Sequence, residues 1–412
     1  MSGLMNSKTS SDVTVVCPLG ANLEQVYTQR AWSPFRAEAI NFVQDLSGSI
    51  LRSSRFRRYP ELLAFAHEMR KKRLLDLVES IKPATHNGVL RGRGIAVHFA
   101  PANVDTIFLY SLLLSLLAGN ANIVRVSNKP SEQVGVIIDA INALLSEPRH
   151  ALVRERIALV RYSHDEEITR RLSSQADLRI IWGGDKTVNL IRSLPINPLS
   201  RDITFPDRWS LAVFDANFYL TGSEQNEVAR QFANDSFWFA QMACSSPRLI
   251  IWRGREDERQ EASRIFYENL RIESHRHANF LSSIDFMNKR VFEDQTAIST
   301  NVNIRSMADN FVSVLHTTLS RMPDLANHCG AGLFIDAAVT ELSELTAILD
   351  RKAQTVVSYG VSREDWSMFL TSGTGTWGID RIVQPGEALS FGPIWDGMSL
   401  IREFTRETVI QV

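Results

Sequence analysis

From residue 94 onward the chain alternates short apolar runs with longer amphipathic ones, and few architectures accept that alternation. The apolar runs are GIAVHF at 94–99, ANIVRV at 121–126, IALV at 157–160, LRIIW at 178–182 and SLAVF at 210–214, and each has the length and composition of a strand. The segments between them, 105–118, 131–145, 166–174 and 186–193, are helical in pattern and long enough to return the chain to the same edge of a sheet. Strand and helix repeated in this order predict a parallel sheet with crossover helices, an α/β core. Sheets of that kind bind dinucleotides at the C-terminal ends of their strands.

A chain of 412 residues exceeds what one compact core holds, so two or three lobes are expected. With 44% hydrophobic residues, 22% charged residues and a formal net charge of -1, it is neither disordered by composition nor a polyanion binder, which excludes nucleic acid as the main partner. Its three cysteines, Cys17, Cys244 and Cys329, are odd in number and far apart, with no C-x-x-C pair. That pattern argues against a disulfide framework or a zinc site and for a reducing, cytoplasmic setting. The first residues lack a basic start followed by an apolar stretch, so no secretory signal is expected. The longest apolar stretch, 106–119, is about two thirds of the roughly 20 residues a membrane-spanning helix needs, and is expected to be a buried core helix.

Ahead of the α/β core, Pro60 is a suitable first helical residue, and Leu62, Phe65, Ala66 and Met69 follow at helical intervals. Arg70, Lys71, Lys72 and Arg73 form a basic face there, either solvated or a docking face for an acidic carrier or coenzyme A phosphates. The expected organisation is an N-terminal extension over 1–50, an α/β domain over 51–222, a second domain over 223–385 and a C-terminal segment over 386–412 that packs back on the core.

The G-x-G-x-x-G phosphate fingerprint is missing: RGRG at 91–94 precedes the first core strand instead of following it. WGGDKT at 182–187 offers a flexible turn entering a helix N-terminus in its place. Cys244 lies in ACSSP, just before the strand-like RLIIW. An isolated cysteine is by default a small core residue, but the flanking Ser245, Ser246 and Pro247 favour a functional thiol. A free thiol near its ordinary pKa of about 8.5 is a few per cent thiolate at neutral pH and already nucleophilic.

The order of GIAVHFAPANVDTIFLYSLLLSLLAGNANIVRVSNKPSEQ, LRIIWGGDK and FWFAQMACSSPRLI resembles the aldehyde dehydrogenase superfamily. YPEL at 59–62, ACSSP around Cys244, DRIVQPGEAL and WDGMSLI at 395–401 resemble one branch of it, the LuxC-type acyl-CoA reductases of bacterial fatty acid reductase complexes. The resemblance runs from about residue 50 to the C-terminus. It implies an aldehyde-dehydrogenase-like α/β fold, a parallel-sheet nucleotide-binding domain with an α/β catalytic domain, in which Cys244 is the nucleophile. Asn103, after the first core strand, and the backbone N–H of Cys244 are then the oxyanion donors; without the family match Asn103 reads equally as a helix cap.

For the cofactor, Arg125 stands where relatives carry a lysine against the adenosine ribose, with Lys129 four residues on. Two cations there favour NADPH, with NADH the alternative, although a solvated loop would carry the same residues. Gly183, Gly184 and Asp185 match the pyrophosphate turn, but Asp185 replaces a small hydroxyl residue. Thr204 stands where hydrolytic relatives keep a glutamate base, with Asp202 and Asp207 the nearest carboxylates. Without a base to activate water, an acyl-cysteine persists, which suits reduction of an acyl thioester to a fatty aldehyde. The substrate expected is an acyl-CoA or acyl-carrier thioester, supplied in relatives by an acyl-activating synthetase, and a homo-oligomer is expected. The competing readings are an aldehyde-oxidising dehydrogenase and a non-catalytic nucleotide-binding scaffold. His275 and His277 lack further ligands for a metal, FGP at 391–393 lies too far past Cys244 to be assigned a cofactor role, and the glycine-rich 371–378 reads as an ordinary mobile loop or as a segment that closes over substrate.

Overall fold

The computed structural model describes residues 13–80, 87–101, 104–300, 303–306, 310–372, 378–390 and 392–412. Asn103 and most of the glycine-rich 371–378 lie outside the described residues. The chain divides into two units, Met1–Pro206 with Phe391–Val412, and Asp207–Ser390.

The first unit is built on a six-stranded sheet. Its strands are β1 (Thr14–Cys17), β3 (Ile95–Phe99), β4 (Ala121–Arg125), β5 (Ile157–Arg161), β6 (Leu178–Trp182) and β7 (Arg201–Phe205), in the order β1-β5-β4-β3-β6-β7. All neighbours are parallel except β1, which pairs antiparallel with β5 at one edge. Every residue of β3 and β6 is buried, as befits strands covered on both faces. The helix Ile107–Leu117 is buried along its whole length, as its unbroken apolar sequence predicts. The helix Glu132–Leu145 is capped by Ser131, whose hydroxyl accepts from the Val134 N–H. A second, two-stranded ribbon pairs β2 (Gly88–Gly92) with the C-terminal strand Thr405–Val409.

A buried polar chain ties this sheet to its central helix. Trp182 Nε1 donates to Ser111 Oγ at 3.1 Å, Ser111 Oγ lies 2.7 Å from His98 Nδ1, and His98 Nε2 lies 3.0 Å from Asn122 Oδ1. Asn122 Nδ2 then donates to Asn120 O. Because the Asn122 oxygen only accepts, His98 carries its proton on Nε2 and takes the Ser111 hydroxyl on Nδ1. Burial holds this ring neutral, with its pKa pushed down to about 4.

The second unit has a seven-stranded sheet of β8 (Trp209–Asp215), β9 (Pro247–Arg253), β10 (Asn303–Ser306), β11 (Ser313–His316), β12 (Leu333–Val339), β13 (Ala353–Tyr359) and β14 (Arg381–Val383). The order is β10-β11-β12-β9-β8-β13-β14, parallel except for β10. Alternate residues feed two cores. Ala212, Phe214, Ile250 and Trp252 face one, and Leu211, Val213, Leu249 and Ile251 face the other.

Several sequence expectations meet the structure at particular residues. The run SLAVF is a strand, but β8 is hydrogen-bonded between β9 and β13 of the second sheet, so the chain leaves the first unit at Pro206 and not near residue 222. The stretch 14–17 is an edge strand of the first sheet and Ala37–Arg52 is a helix, so this part of the N-terminal 50 residues is built into the first unit. The helix beginning at Pro60 ends at Glu68, and a second helix, Lys71–Ser80, follows the break at Met69 and Arg70.

Candidate active site

Cys244 occupies the turn that feeds β9, and the backbone before it is strained. Phe239, Ala240 and Gln241 all have positive φ, at 56°, 52° and 64°. For non-glycine residues this left-handed region costs roughly 1–2 kcal/mol apiece, so three in succession persist only where the surroundings enforce them. The fully buried Gln241 is the main restraint. Its Nε2 donates to Pro247 O at 2.8 Å and Leu333 O at 3.0 Å, and its Oε1 accepts from the Gly332 N–H at 3.0 Å. The Ala331 N–H also donates to Ala240 O at 3.0 Å. This approach of two backbones requires Gly330, because a Cβ there would lie 2.5 Å from Ala240 O.

The turn itself is held from below. Ser210 Oγ donates to Cys244 O at 2.7 Å and accepts from the Thr355 N–H at 3.1 Å. Ser246 Oγ donates to Asp235 O at 2.7 Å. Cys244 is half-buried, whereas burial pushes the thiols of Cys17 and Cys329 up to about 12, leaving them almost entirely protonated at neutral pH. Arg248, 6% exposed, donates from Nη1 to Leu325 O at 2.8 Å. Burial lowers its pKa, while the carboxylates of Asp207 and Asp324 oppose that shift.

In the first unit, the strand order reverses around β3: β4 and β5 run out to one side and β6 and β7 to the other. The C-terminal end of β3 is therefore the position where sheets of this type take a dinucleotide. A cavity of about 180 Å³ opens beside it, lined among others by Ala100, Pro101, Asp105, Phe108, Ser127 and Lys129. Ser131 Oγ donates to Asp105 Oδ2 in its wall. Lys129 is thus at the cavity. Arg125 is not among its lining residues, and its guanidinium lies over the Tyr162 ring at 5.1 Å from the centroid. Gly183 and Gly184 follow β6, with Gly184 capping the helix Asp185–Ser193, so the turn presents a helix N-terminus at the same edge of the sheet.

The carboxylates weighed as bases are accounted for in part. Asp202 is bound to Arg179 through two hydrogen bonds of 2.7 Å, and Arg179 is 1% exposed. Thr204 is half-buried in β7 and Asp207 is exposed. His277 is buried and stacked on Phe237, and His275 packs against Phe311. Arg70, Lys71, Lys72 and Arg73 are exposed. Sequence reasoning missed Gln241, Asp105 and the restraint on the Cys244 turn; a glutamine three residues before a candidate nucleophile was the one available signal.

Comparison with solved structures defines the class. A putative aldehyde dehydrogenase from Burkholderia cenocepacia matches at TM-score 0.64 and 12% identity, over 90% of this chain and 84% of that one. A 1-pyrroline-5-carboxylate dehydrogenase from Thermus with bound NAD matches at 0.62 and 13%, over 92% and 81%. The fold is the aldehyde-dehydrogenase-like α/β fold the sequence led us to expect.

Within that class the family is resolved by sequence. Residues 60–407 match the family model Acyl-CoA reductase (LuxC), and the chain belongs to that family. A long-chain acyl-protein thioester reductase of Aliivibrio fischeri is 24% identical over 166 residues, 39% of this chain and 32% of that protein. Long-chain acyl-protein thioester reductase 2 of Photobacterium leiognathi is 24% identical over 210 residues, 50% and 40%. Each match therefore spans less than half the length of the curated relative. No described helix is long and apolar enough to cross a membrane.

Proposed function

We propose that this chain reduces acyl thioesters to fatty aldehydes through an acyl-Cys244 intermediate, with NADPH as the preferred hydride donor and NADH as the alternative. The observation that carries the reading is the family match over residues 60–407, which contains Cys244 and its restrained turn. The names of the two curated relatives supply the substrate class, a long-chain acyl group in thioester linkage. Coenzyme A or a carrier protein is the donor, and a synthetase that activates the acyl group is the partner.

In this reading the Cys244 sulfur attacks the thioester carbonyl, the donor thiol leaves, and the acyl group is held on Cys244. The Cys244 backbone N–H and the Asn103 amide stabilise the tetrahedral oxygen; loss of one such donor costs about 100 to 1,000-fold in rate. A nicotinamide cofactor, when bound, would supply the hydride that converts the acyl-Cys244 to a thiohemiacetal. Collapse of that adduct releases the aldehyde and returns the sulfur. For the cofactor, the cavity beside β3 offers Lys129 for a ribose or its phosphate and the hydroxyl of Ser127. The Gly183 N–H is donated to Phe205 O at 3.2 Å, so what this turn offers the pyrophosphate is the N-terminus of the helix Asp185–Ser193, with Asp185 the one unfavourable charge. Arg125, set over Tyr162, would act there only as a more distant charge. The engagement of Asp202 by Arg179 takes up one of the two carboxylates weighed as a base to hydrolyse the acyl-enzyme.

The test is oxidation of NADPH and NADH by the purified protein with acyl-CoA of graded chain length, scoring aldehyde. Aldehyde formed by wild type and abolished in Cys244→Ala is expected. No reduction of any acyl-CoA, even with a carrier-bound acyl group or a synthetase supplied, refutes the reading.

A further inference from the structure

The helix Ser283–Thr300 of the second unit has two faces of different character. Lys289, Glu293 and Thr296 turn one side into the unit, at 0%, 1% and 6% exposure, and Phe292 packs beside them against its core. The opposite side leaves Ile284, Met287, Val291 and Ile298 at 66%, 69%, 54% and 87% exposure. Steps of three, four and seven residues hold all four in one stripe along the helix. Apolar side chains scattered singly over a surface need no explanation, but four aligned on one helix call for a partner.

Two features say what that partner is. The stripe is symmetric about Val291: Ile284 comes seven residues before it and Ile298 seven after, each about 10 Å away along the axis. An antiparallel copy of the same helix, related by a two-fold axis beside Val291, sets Val291 on Val291 and Ile284 on Ile298 at both ends. A different partner has no need of that symmetry. The rim charges obey the same axis. Arg290 and Asp294 are the exposed charges among the described side chains of this helix, and within one copy Arg290 Nη2 lies 3.1 Å from Asp294 Oδ1. At about 100° per residue both flank the stripe on the same side, with Asn288 and Gln295 on the other. The antiparallel two-fold brings Arg290 of each copy opposite Asp294 of the other and Asn288 opposite Gln295. A parallel pair would set the charges against the amides. The rim also sums to zero charge, which is unlike the Lys- and Arg-rich flank of a helix that lies on an anionic lipid surface.

We propose that the helix Ser283–Thr300 is a self-recognition surface, on which a second copy of this chain docks antiparallel about a two-fold axis at Val291. Nothing in this depends on the acyl-thioester reading. With about seven helix residues a side, against the 20–30 of a standard interface, the pair is reversible and forms in roughly the micromolar range.

The experiment is sedimentation velocity of the full chain from about 1 to 100 µM. Wild type is expected to double in mass as concentration rises, and Val291→Arg, at an exposed position that leaves the fold intact, to lose that step. Arg290→Asp and Asp294→Arg each place like charges across the axis and are expected to weaken association by about tenfold or more. An equimolar mixture of those two variants should recover it, because an all-acidic rim then meets an all-basic one. Mixing leaves the ion pairs within each helix unrestored, so recovery reports contact between copies. A wild type that stays at one mass up to about 100 µM overturns the proposal. So does a doubling that Val291→Arg leaves untouched, or a mixture that associates no better than either variant alone. Wild-type binding to phosphatidylglycerol vesicles that Val291→Arg abolishes, without any doubling in solution, would overturn it in favour of a lipid surface.

Discussion

Replacing Gln241 by Leu tests whether the turn that presents Cys244 is held by its hydrogen bonds or by shape. Leucine is close to glutamine in size, so cavity formation is a small part of the effect. Three buried groups lose their partners: the carbonyls of Pro247 and Leu333 and the N–H of Gly332. At about 1–3 kcal/mol each, the loss is about 3–9 kcal/mol if the backbone stays where it is. It has a reason to move, since Phe239, Ala240 and Gln241 recover roughly 1–2 kcal/mol each on leaving the left-handed region. The net destabilisation expected is therefore about 3 kcal/mol, with the rest released as a displaced Cys244. Calorimetry should show the transition that contains the second unit lowered by roughly 6–12 °C. The alkylation rate of Cys244 should change in the same variant. A transition within about 2 °C of wild type together with an unchanged alkylation rate would refute the restraint argument.

Two further perturbations act on the first unit. His98 titrates near 6.5 when unfolded and near 4 when buried, so its contribution is whole above pH 6.5 and drains away as the pH falls toward 4. The full loss is about 3 kcal/mol, and urea unfolding at pH 7.5 and 4.5 should show a pH slope that is smaller in His98→Gln, where the buried His277 and His328 still contribute; equal slopes would contradict it. Asp202→Asn leaves the buried Arg179 guanidinium without its carboxylate and should cost about 3–5 kcal/mol, with much of the loss recovered in Arg179→Met/Asp202→Leu. A single-variant loss below about 1 kcal/mol in chemical denaturation would count against that ion pair.

What the sequence revealed and what it withheld have physical causes. β3, β4, β5 and β6 lie within a residue of their expected bounds because each is apolar on both faces and is bracketed by a helix of ordinary length. β8 has the same composition, and nothing local tells which of two sheets it joins; that is decided by its hydrogen bonds to β9 and β13. β1 is only four residues and lies at an edge, too short for periodicity to register. Cys244 could be singled out because the serines and proline around it suit a turn. Gln241 could not, since its worth comes from Leu333 and Gly332, about ninety residues away. Lys129 is beside the cavity, but Arg125 has an aromatic neighbour in Tyr162 that spacing alone does not reveal.

The first unit is assembled from both ends of the chain. Thr405–Val409 pairs with Gly88–Gly92, Asn120 Nδ2 donates to Phe404 O at 3.0 Å, and Arg93 Nε donates to Glu403 O at 2.6 Å. The order of synthesis is therefore not the order of completion. On the ribosome, the second unit has all of its residues while the earlier unit still waits for the strand that closes its ribbon. Over that interval β2 offers an open edge to any other extended chain, and nascent copies crowded on one message would meet there first.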